Sequence, residues 1–119
     1  MAQSILNTIK KVIGLTEDDD SFDLDLLIHI NSVFATLTQL GVGPEDGFEI
    51  EDDSALWEDF LPDRRYNFVK SFVYLEVKRL FDPPGTSFLG DAYKLQRDEY
   101  TYRISVLREG DQWTEPISL

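Results

Sequence analysis

Residues 66–84, YNFVKSFVYLEVKRLFDPP, decide the fold of this chain. At helical spacing the polar residues of this stretch fall on one narrow stripe, and apolar residues cover the rest of the circumference. The stripe consists of Asn67, Lys70, Ser71, Tyr74 and Lys78. Such an apolar arc is wider than a surface helix normally shows. The sequence therefore predicts a helix over residues 66–80 that is covered on more than one side. Part of that covering surface can belong to another subunit.

This helix is predicted to end at a run of four residues: Phe81, Asp82, Pro83 and Pro84. A residue before proline is pushed out of the helical region, and proline itself cannot continue a helix. We interpret these four residues as a structural corner, with Phe81 anchoring it in the core, and not as a binding or catalytic site.

Four further helices follow from the same reasoning: a short one over residues 4–13, a long one over 22–40, a single turn over 54–60 and a long one over 88–108. Glycines are expected to end the first, second and last of them, at Gly14, Gly41 and Gly110. The predicted fold class is all-α, a small helical bundle of three long and two short helices. Residues 1–110 would form the single domain, and residues 111–119 an irregular C-terminal tail.

Local signals refine this outline. Asp20 or Ser21 is predicted to cap the second helix, and Thr86 or Ser87 the last one. Residues 48–50, Phe-Glu-Ile, alternate in polarity and predict a short strand.

Charge is the strongest compositional signal, with a formal net charge of −12. Residues 12–63 hold fifteen carboxylates and no lysine or arginine, whereas residues 64–119 hold nine basic and eight acidic residues. Such a field repels DNA phosphates and membrane surfaces, so tight nucleic-acid binding is not expected. The absence of cysteine, of a signal peptide and of a membrane span predicts a soluble intracellular protein.

No arrangement of residues indicates enzyme chemistry. The acidic clusters lack the spacing of a calcium-binding loop, and the glycines at 41, 43 and 47 do not form a phosphate-binding fingerprint. The lone histidine, His29, lies on the polar stripe of its helix and has no partner for a metal site or a catalytic triad. We expect no enzymatic activity, no metal and no cofactor.

Three charged residues fall inside apolar arcs: Glu76 in the helix over residues 66–80, and Glu99 and Arg103 in the last helix. A buried charge must be paired, since an unpaired one costs several kcal/mol. The favoured interpretation is an ion-pair network that ties these two helices together within one subunit. A contact between subunits is the alternative.

Five short motifs carry a resemblance to a known family. They are residues 28–31 (IHIN), 40–42 (LGV), 57–60 (WEDF), 80–84 (LFDPP) and 96–99 (QRDE). In this order they resemble the head–tail connector proteins of long-tailed bacteriophages, the adaptor or head-completion family below the portal. The resemblance covers most of the chain, and the Phe-Asp-Pro-Pro stop is its most telling part.

The resemblance implies a structural protein of the virion neck, assembled in the host cytoplasm. About a dozen copies would form a homo-oligomeric ring by head-to-tail contacts. The implied partners are the portal protein on one side and a tail-side or stopper protein on the other. DNA would pass through the ring without specific binding, and no membrane is involved.

A second hypothesis belongs to a different class. The net charge of −12 also suits an acidic inhibitor that imitates DNA and blocks a DNA-binding enzyme. That hypothesis predicts a monomer or dimer with carboxylates along a convex face. The connector hypothesis predicts a helical subunit that assembles with its own copies.

Overall fold

The computed structural model describes residues 3–61, 67–82 and 85–112. Across these residues the chain forms helices and no strand, which confirms the all-α class. The helices are α1 (Ile5–Val12), α2 (Asp23–Gln39), α3 (Trp57–Phe60), α4 (Val69–Phe81) and α5 (Ser87–Gln112).

Helix α4, which lies within residues 66–84, is the central element. It packs against α2, α5 and α1, so three helices cover it, as its wide apolar arc predicts. The buried set on α4 is Val69, Phe72, Val73 and Val77. The rest of the core comes mainly from α1 and α2, through Ile5, Leu6, Ile9, Leu26, Ile30, Val33, Phe34 and Leu37.

Aromatic contacts fix the directions of the three long helices. Phe22, just before α2, meets Phe81 at the end of α4, with ring centroids 5.3 Å apart. Phe68, just before α4, stacks on Tyr100 in the second half of α5, with centroids 6.3 Å apart. Helix α4 is therefore antiparallel to both α2 and α5.

The segment between α2 and α3 contains no strand, so the strand predicted over residues 48–50 is wrong. A side chain takes the place of a partner strand. The amide of Asn31 on α2 donates to the carbonyl of Ile50 at 3.0 Å and accepts from the N–H of Ile50 at 2.8 Å. Ile50 is thereby buried without a sheet, because one side-chain amide satisfies both of its backbone groups.

We expect Asn31→Ala to lower the free energy of unfolding by about 1–3 kcal/mol, because it leaves two backbone groups of a buried residue unpaired. The neighbouring Ser32→Ala is the matched control, since Ser32 is exposed on the same helix, and it should change stability by less than about 0.5 kcal/mol. Urea unfolding of both variants measures the difference. Equal midpoints for the two variants would show that Asn31 does not hold the segment.

The N-terminus is tied to the same segment. The N–H of Ile5 donates to the carbonyl of Ala55 at 3.0 Å, and the N–H of Trp57 donates to the carbonyl of Gln3 at 3.1 Å. The indole N–H of Trp57 donates to the hydroxyl of Thr8 at 2.8 Å. Trp57 is buried, so the short α3 turn packs this side chain into the core.

Several helix boundaries differ from the sequence prediction. Helix α5 continues through Gly110 to Gln112, so the predicted end at Gly110 is wrong. The residue that caps α2 is Phe22, with no side-chain hydrogen bond, so the cap predicted at Asp20 or Ser21 is wrong as well. Thr86 does cap α5, since its hydroxyl accepts from the N–H of Leu89 at 3.2 Å. The tail that follows Gln112 lies outside the described residues.

Helix α4 ends within the predicted corner, whose structural role stays a prediction. Its last residue is Phe81, and Asp82 leaves the helical region, with φ −135° and ψ 80°. Pro83 and Pro84 lie outside the described residues. The Phe81 side chain is half-buried and packs against the rim of the core.

Phe81→Ala should lower the free energy of unfolding by about 1–3 kcal/mol, since the loss for a fully buried phenylalanine is about 3–5 kcal/mol and Phe81 is only half-buried. Its main aromatic contact is Phe22, which is itself 40% exposed. Thermal melting compares the variant with the parent. A variant that melts like the parent but no longer assembles would make Phe81 a contact residue and not a structural anchor.

Candidate assembly surfaces

The outer face of α5 carries an apolar row that the rest of the described chain leaves uncovered. Phe88 is 80% exposed, Leu95 71%, Tyr102 69% and Val106 48%. Half-buried Ala92 lies on the same face. Glu99, which is exposed, stands in the middle of the row. We name these six residues, from Phe88 to Val106, the α5 seam.

The opposite face of α5 packs on the bundle. Ile104 is fully buried, and Tyr100 and Leu107 pack against the core. At helical spacing, Ile104 and Leu107 fall on one side of α5, and the row from Phe88 to Val106 falls on another. The structure assigns the Ile104 side to the core, and the α5 seam is therefore the surplus apolar surface.

Helix α2 carries a second, smaller apolar surface. Leu24 is 72% exposed and Ile28 58% exposed, one helical turn apart on the same face. We name these two residues the α2 patch. Asn31 holds the segment around Ile50 one turn further along this helix, so the α2 patch covers the two turns that this segment leaves open.

Large exposed apolar surfaces on a small protein commonly mark sites of association. The α5 seam and the α2 patch belong to different helices. The subunit's own core therefore covers only part of the apolar surface of α2 and α5.

Glu76 lies inside the bundle, between α4 and α5. Its carboxylate accepts two hydrogen bonds from Arg79, at 3.1 and 2.9 Å, through Oε2. Its Oε1 lies 2.9 Å from Nε of Arg97 on α5, an ion pair without hydrogen-bond geometry. The partners of Glu76 are thus two arginines that the sequence argument did not name, both of them partly exposed.

The other two residues of the predicted network lie elsewhere. Glu99 and Arg103 are exposed, and in the described part of the chain neither is paired with Glu76 or with the other. The guanidinium of Arg103 lies over the ring of Phe68, 4.4 Å from its centroid, and 5.8 Å from that of Tyr100. A cation over an aromatic face is attracted by the ring's quadrupole. A role for Glu76, Glu99 and Arg103 as one network stays a prediction.

Lys10 is a buried charge that the sequence analysis missed. Only 2% of its side chain is exposed, and its Nζ lies 2.6 Å from Oδ1 of Asp23 in the first turn of α2. Nζ also donates to the carbonyl of Glu17 at 3.2 Å. Lys10 therefore draws the acidic turn and the start of α2 onto α1. Its position beside the apolar residues of a short amphipathic helix was the available signal.

The two acidic turns are organised by their own hydrogen bonds. Oδ1 of Asp19 accepts from the N–H of Ser21 at 3.1 Å, and Oδ1 of Asp52 accepts from both the hydroxyl and the N–H of Ser54. The backbone bond from Ser21 lowers the pKa of Asp19, and the hydroxyl of Ser54 lowers the pKa of Asp52. Both carboxylates are local turn residues, which agrees with their interpretation as solvated loops.

In the ranges that the structure describes, no three histidine or acidic side chains come together in a way that would hold a metal ion. None of the described helices combines the length and the apolar character that a membrane span needs. His29, on the polar stripe of α2, is half-buried.

Comparison with known proteins gives one finding. A family model described as "Phage connector protein" matches residues 5–111 of this chain. No curated protein and no solved structure matches the chain significantly.

Proposed function

The chain belongs to the phage connector protein family, and from that membership we propose that it is a subunit of a ring in the phage neck, between the portal and the tail. The family is a structural one, whose members are virion components that associate with other head or tail proteins. The observation that carries the proposal is the match over residues 5–111, which covers the five described helices except for the last residue of α5.

The arrangement of apolar surfaces supports a ring. A twofold dimer needs one self-complementary patch, whereas a ring needs two different surfaces that meet head to tail. The α2 patch and the α5 seam lie on different helices, so one subunit has separate surfaces for a neighbouring copy and for another protein. We propose that the α2 patch meets a different surface of the neighbouring copy, and that about a dozen copies close the ring head to tail.

The charge distribution supports a DNA conduit. Residues 12–63 carry fifteen carboxylates and no lysine or arginine. A lumen lined by such a segment would repel the phosphate backbone and let DNA slide without sticking. The portal would lie on one side of the ring and a tail-side or stopper protein on the other.

The test is to mix the purified protein with portal rings and examine the particles by negative-stain electron microscopy. We expect an added ring of density on one end of the portal. Leu24→Asp together with Ile28→Asp should abolish this density, because charges would then occupy the α2 patch. Ser32→Asp, on the exposed part of the same helix, is the control and should leave it intact.

High salt distinguishes the charged contacts that hold the assembly together from the apolar ones. Contacts between charged edges are screened within about 8 Å at physiological ionic strength, and apolar contacts are not. Rings should therefore loosen in high salt while the helical circular dichroism signal stays constant. Failure to decorate the portal at any ratio, together with stoichiometric inhibition of a DNA-processing enzyme, would favour the DNA-mimic hypothesis instead.

We further expect no binding of duplex DNA tighter than about 100 μM at physiological salt, since no segment supplies a cluster of cations to neutralise phosphates. Fluorescence anisotropy with a labelled duplex measures this. Micromolar affinity that weakens steeply as salt is added would contradict a conduit that DNA passes without binding.

A further inference from the structure

The spacing of the α5 seam is that of a coiled-coil surface. Its residues follow one another at intervals of four and three, from Phe88 through Ala92, Leu95, Glu99 and Tyr102 to Val106. This alternation is the a/d pattern of a heptad repeat, which presents a straight row of knobs to a second helix. The row is about 28 Å long at 1.5 Å per residue. A surface of this shape fits one long helix better than a loop or a strand.

One residue breaks the apolar row. Glu99 occupies a core position of the repeat, between Leu95 and Tyr102. A helix packed on the seam would cover its carboxylate, and a covered charge without a counter-ion is costly. A polar residue at such a position selects the partner and its register.

Among the residues that the structure describes, no lysine or arginine forms an ion pair with Glu99. Arg103, four residues further along α5, is at the right spacing for an intrahelical pair. Its guanidinium lies instead over Phe68, 4.4 Å from the ring centroid, and no ion pair with Glu99 is formed among the described residues. A lysine or arginine to pair with Glu99 would therefore come from the partner helix.

We propose that the α5 seam docks an amphipathic helix of another protein, which carries an arginine or lysine opposite Glu99. This inference rests on the proposed function, because it names the chemistry of one partner of the connector. The occupant would be a helix of a neighbouring head or tail protein, and the subunit's net charge of −12 also favours a basic partner.

A second copy of this chain fits the seam poorly. Two parallel α5 helices would bring Glu99 against Glu99, and two antiparallel ones would bury it against Leu95 or Tyr102 with no counter-ion. The α2 patch of a neighbouring subunit is short and flanked by Asp25, and α2 contains no lysine or arginine. In none of these three arrangements does the facing row of a second copy place a lysine or arginine directly opposite Glu99.

The probe is a pair of synthetic 21-residue helical peptides with leucine at every a and d position except the central a position. One peptide has arginine there and the other glutamate. A compensating substitution on the outer face of each peptide keeps their net charges equal, so that general attraction to an acidic protein cancels. Affinities for the full-length protein are measured by isothermal titration calorimetry at about 0.15 M salt, where long-range charge effects are largely screened.

The arginine peptide should bind at least about tenfold more tightly than the glutamate peptide. Glu99→Arg should reverse this preference, and Glu99→Leu should remove it. Leu95→Asp should weaken the binding of both peptides, whereas Ser105→Asp, exposed on α5 but off the seam, should change neither. Because these side chains are exposed, all four variants should keep the parent's circular dichroism spectrum.

Equal affinities for the two peptides, or no binding of either, would overturn the proposal. So would self-association of the protein that Leu95→Asp abolishes in sedimentation velocity, since the occupant would then be a second copy. The portal-binding experiment is independent of these results. Portal decoration without peptide discrimination would reject the seam proposal alone, and discrimination without decoration would reject the neck-ring function alone.

Discussion

Asp23→Ala should lower the free energy of unfolding by about 3–5 kcal/mol, because it leaves the ammonium group of a buried lysine without its counter-ion. The lysine is Lys10, whose side chain is 2% exposed and whose Nζ lies 2.6 Å from the Asp23 carboxylate. The remaining partner of Nζ would be the carbonyl of Glu17, at 3.2 Å. Chemical denaturation measures the loss.

The reverse substitution should be far milder. Lys10→Met removes the buried charge and keeps a flexible apolar chain of similar length, and Asp23 is one-third exposed and can turn to water. We expect a change of less than about 1 kcal/mol, since replacing a buried ion by an apolar residue is often neutral or stabilising. In the double variant, Lys10→Met should recover most of the stability that Asp23→Ala loses.

Asp25→Ala is the matched control, because Asp25 also lies in the first turn of α2 and is exposed. Both aspartates favour the positive end of the helix dipole, an effect of about 0.3–1 kcal/mol each. If Asp23→Ala and Asp25→Ala cost the same, the dipole accounts for the whole effect. The pair with Lys10 would then contribute nothing.

Gly43→Ala is expected to cost about 2–4 kcal/mol, from a strained backbone and an overpacked core together. Gly43 has φ +88°, in the left-handed region that residues with a Cβ rarely adopt. A methyl group there would also come within 2.6 Å of the ring of Phe60. Phe60 is buried and lies against Phe34, with ring centroids 4.5 Å apart, so it has little room to move.

Gly47→Ala separates the two causes. Gly47 has φ +96°, close to that of Gly43, but a Cβ there would meet nothing within 4 Å. Its cost should be only the backbone part, about 1–2 kcal/mol. Thermal unfolding of both variants gives the difference, which measures the contact with Phe60. Equal losses would mean that the aromatic cluster yields to the added methyl.

Both predictions concern the scaffold and leave the outer surfaces untouched. Lys10 and Gly43 act within the fold, by holding the acidic turn and the segment before α3. Neither residue belongs to the α5 seam or the α2 patch. Lys10→Met should therefore retain portal decoration, which provides a folded, assembly-competent reference for the surface variants.

The sequence by itself determined the helices and the central position of α4. Helical periodicity depends only on which side chains lie three or four residues apart, and this information is local. The ends of α1, α2 and α4 also came from local signals, since Gly14 and Gly41 take positive φ and Asp82 leaves the helix before Pro83. The family resemblance, read from short motifs such as residues 80–84, agrees with the match over residues 5–111.

Local signals predicted the wrong structure where hydrogen bonds from a distant residue stabilise the segment. Residues 48–50 alternate like a strand, but Asn31, far away in the chain, satisfies the backbone of Ile50 and no strand forms.

Gly110 was expected to end α5, but the helix continues to Gln112. A glycine costs only about 1 kcal/mol inside a helix, so it is a weak signal on its own.

Only the tertiary structure decided which apolar face of α5 meets the core and which charges are buried. Periodicity places Ile104 and Leu95 on different sides of one helix, but it does not say which side α4 covers. The same limit applies to charge: Lys10 is buried because Asp23 approaches it, and Glu76 because Arg79 and Arg97 do. Burial of a charge depends on partners brought together by packing, and packing is a property of the whole fold.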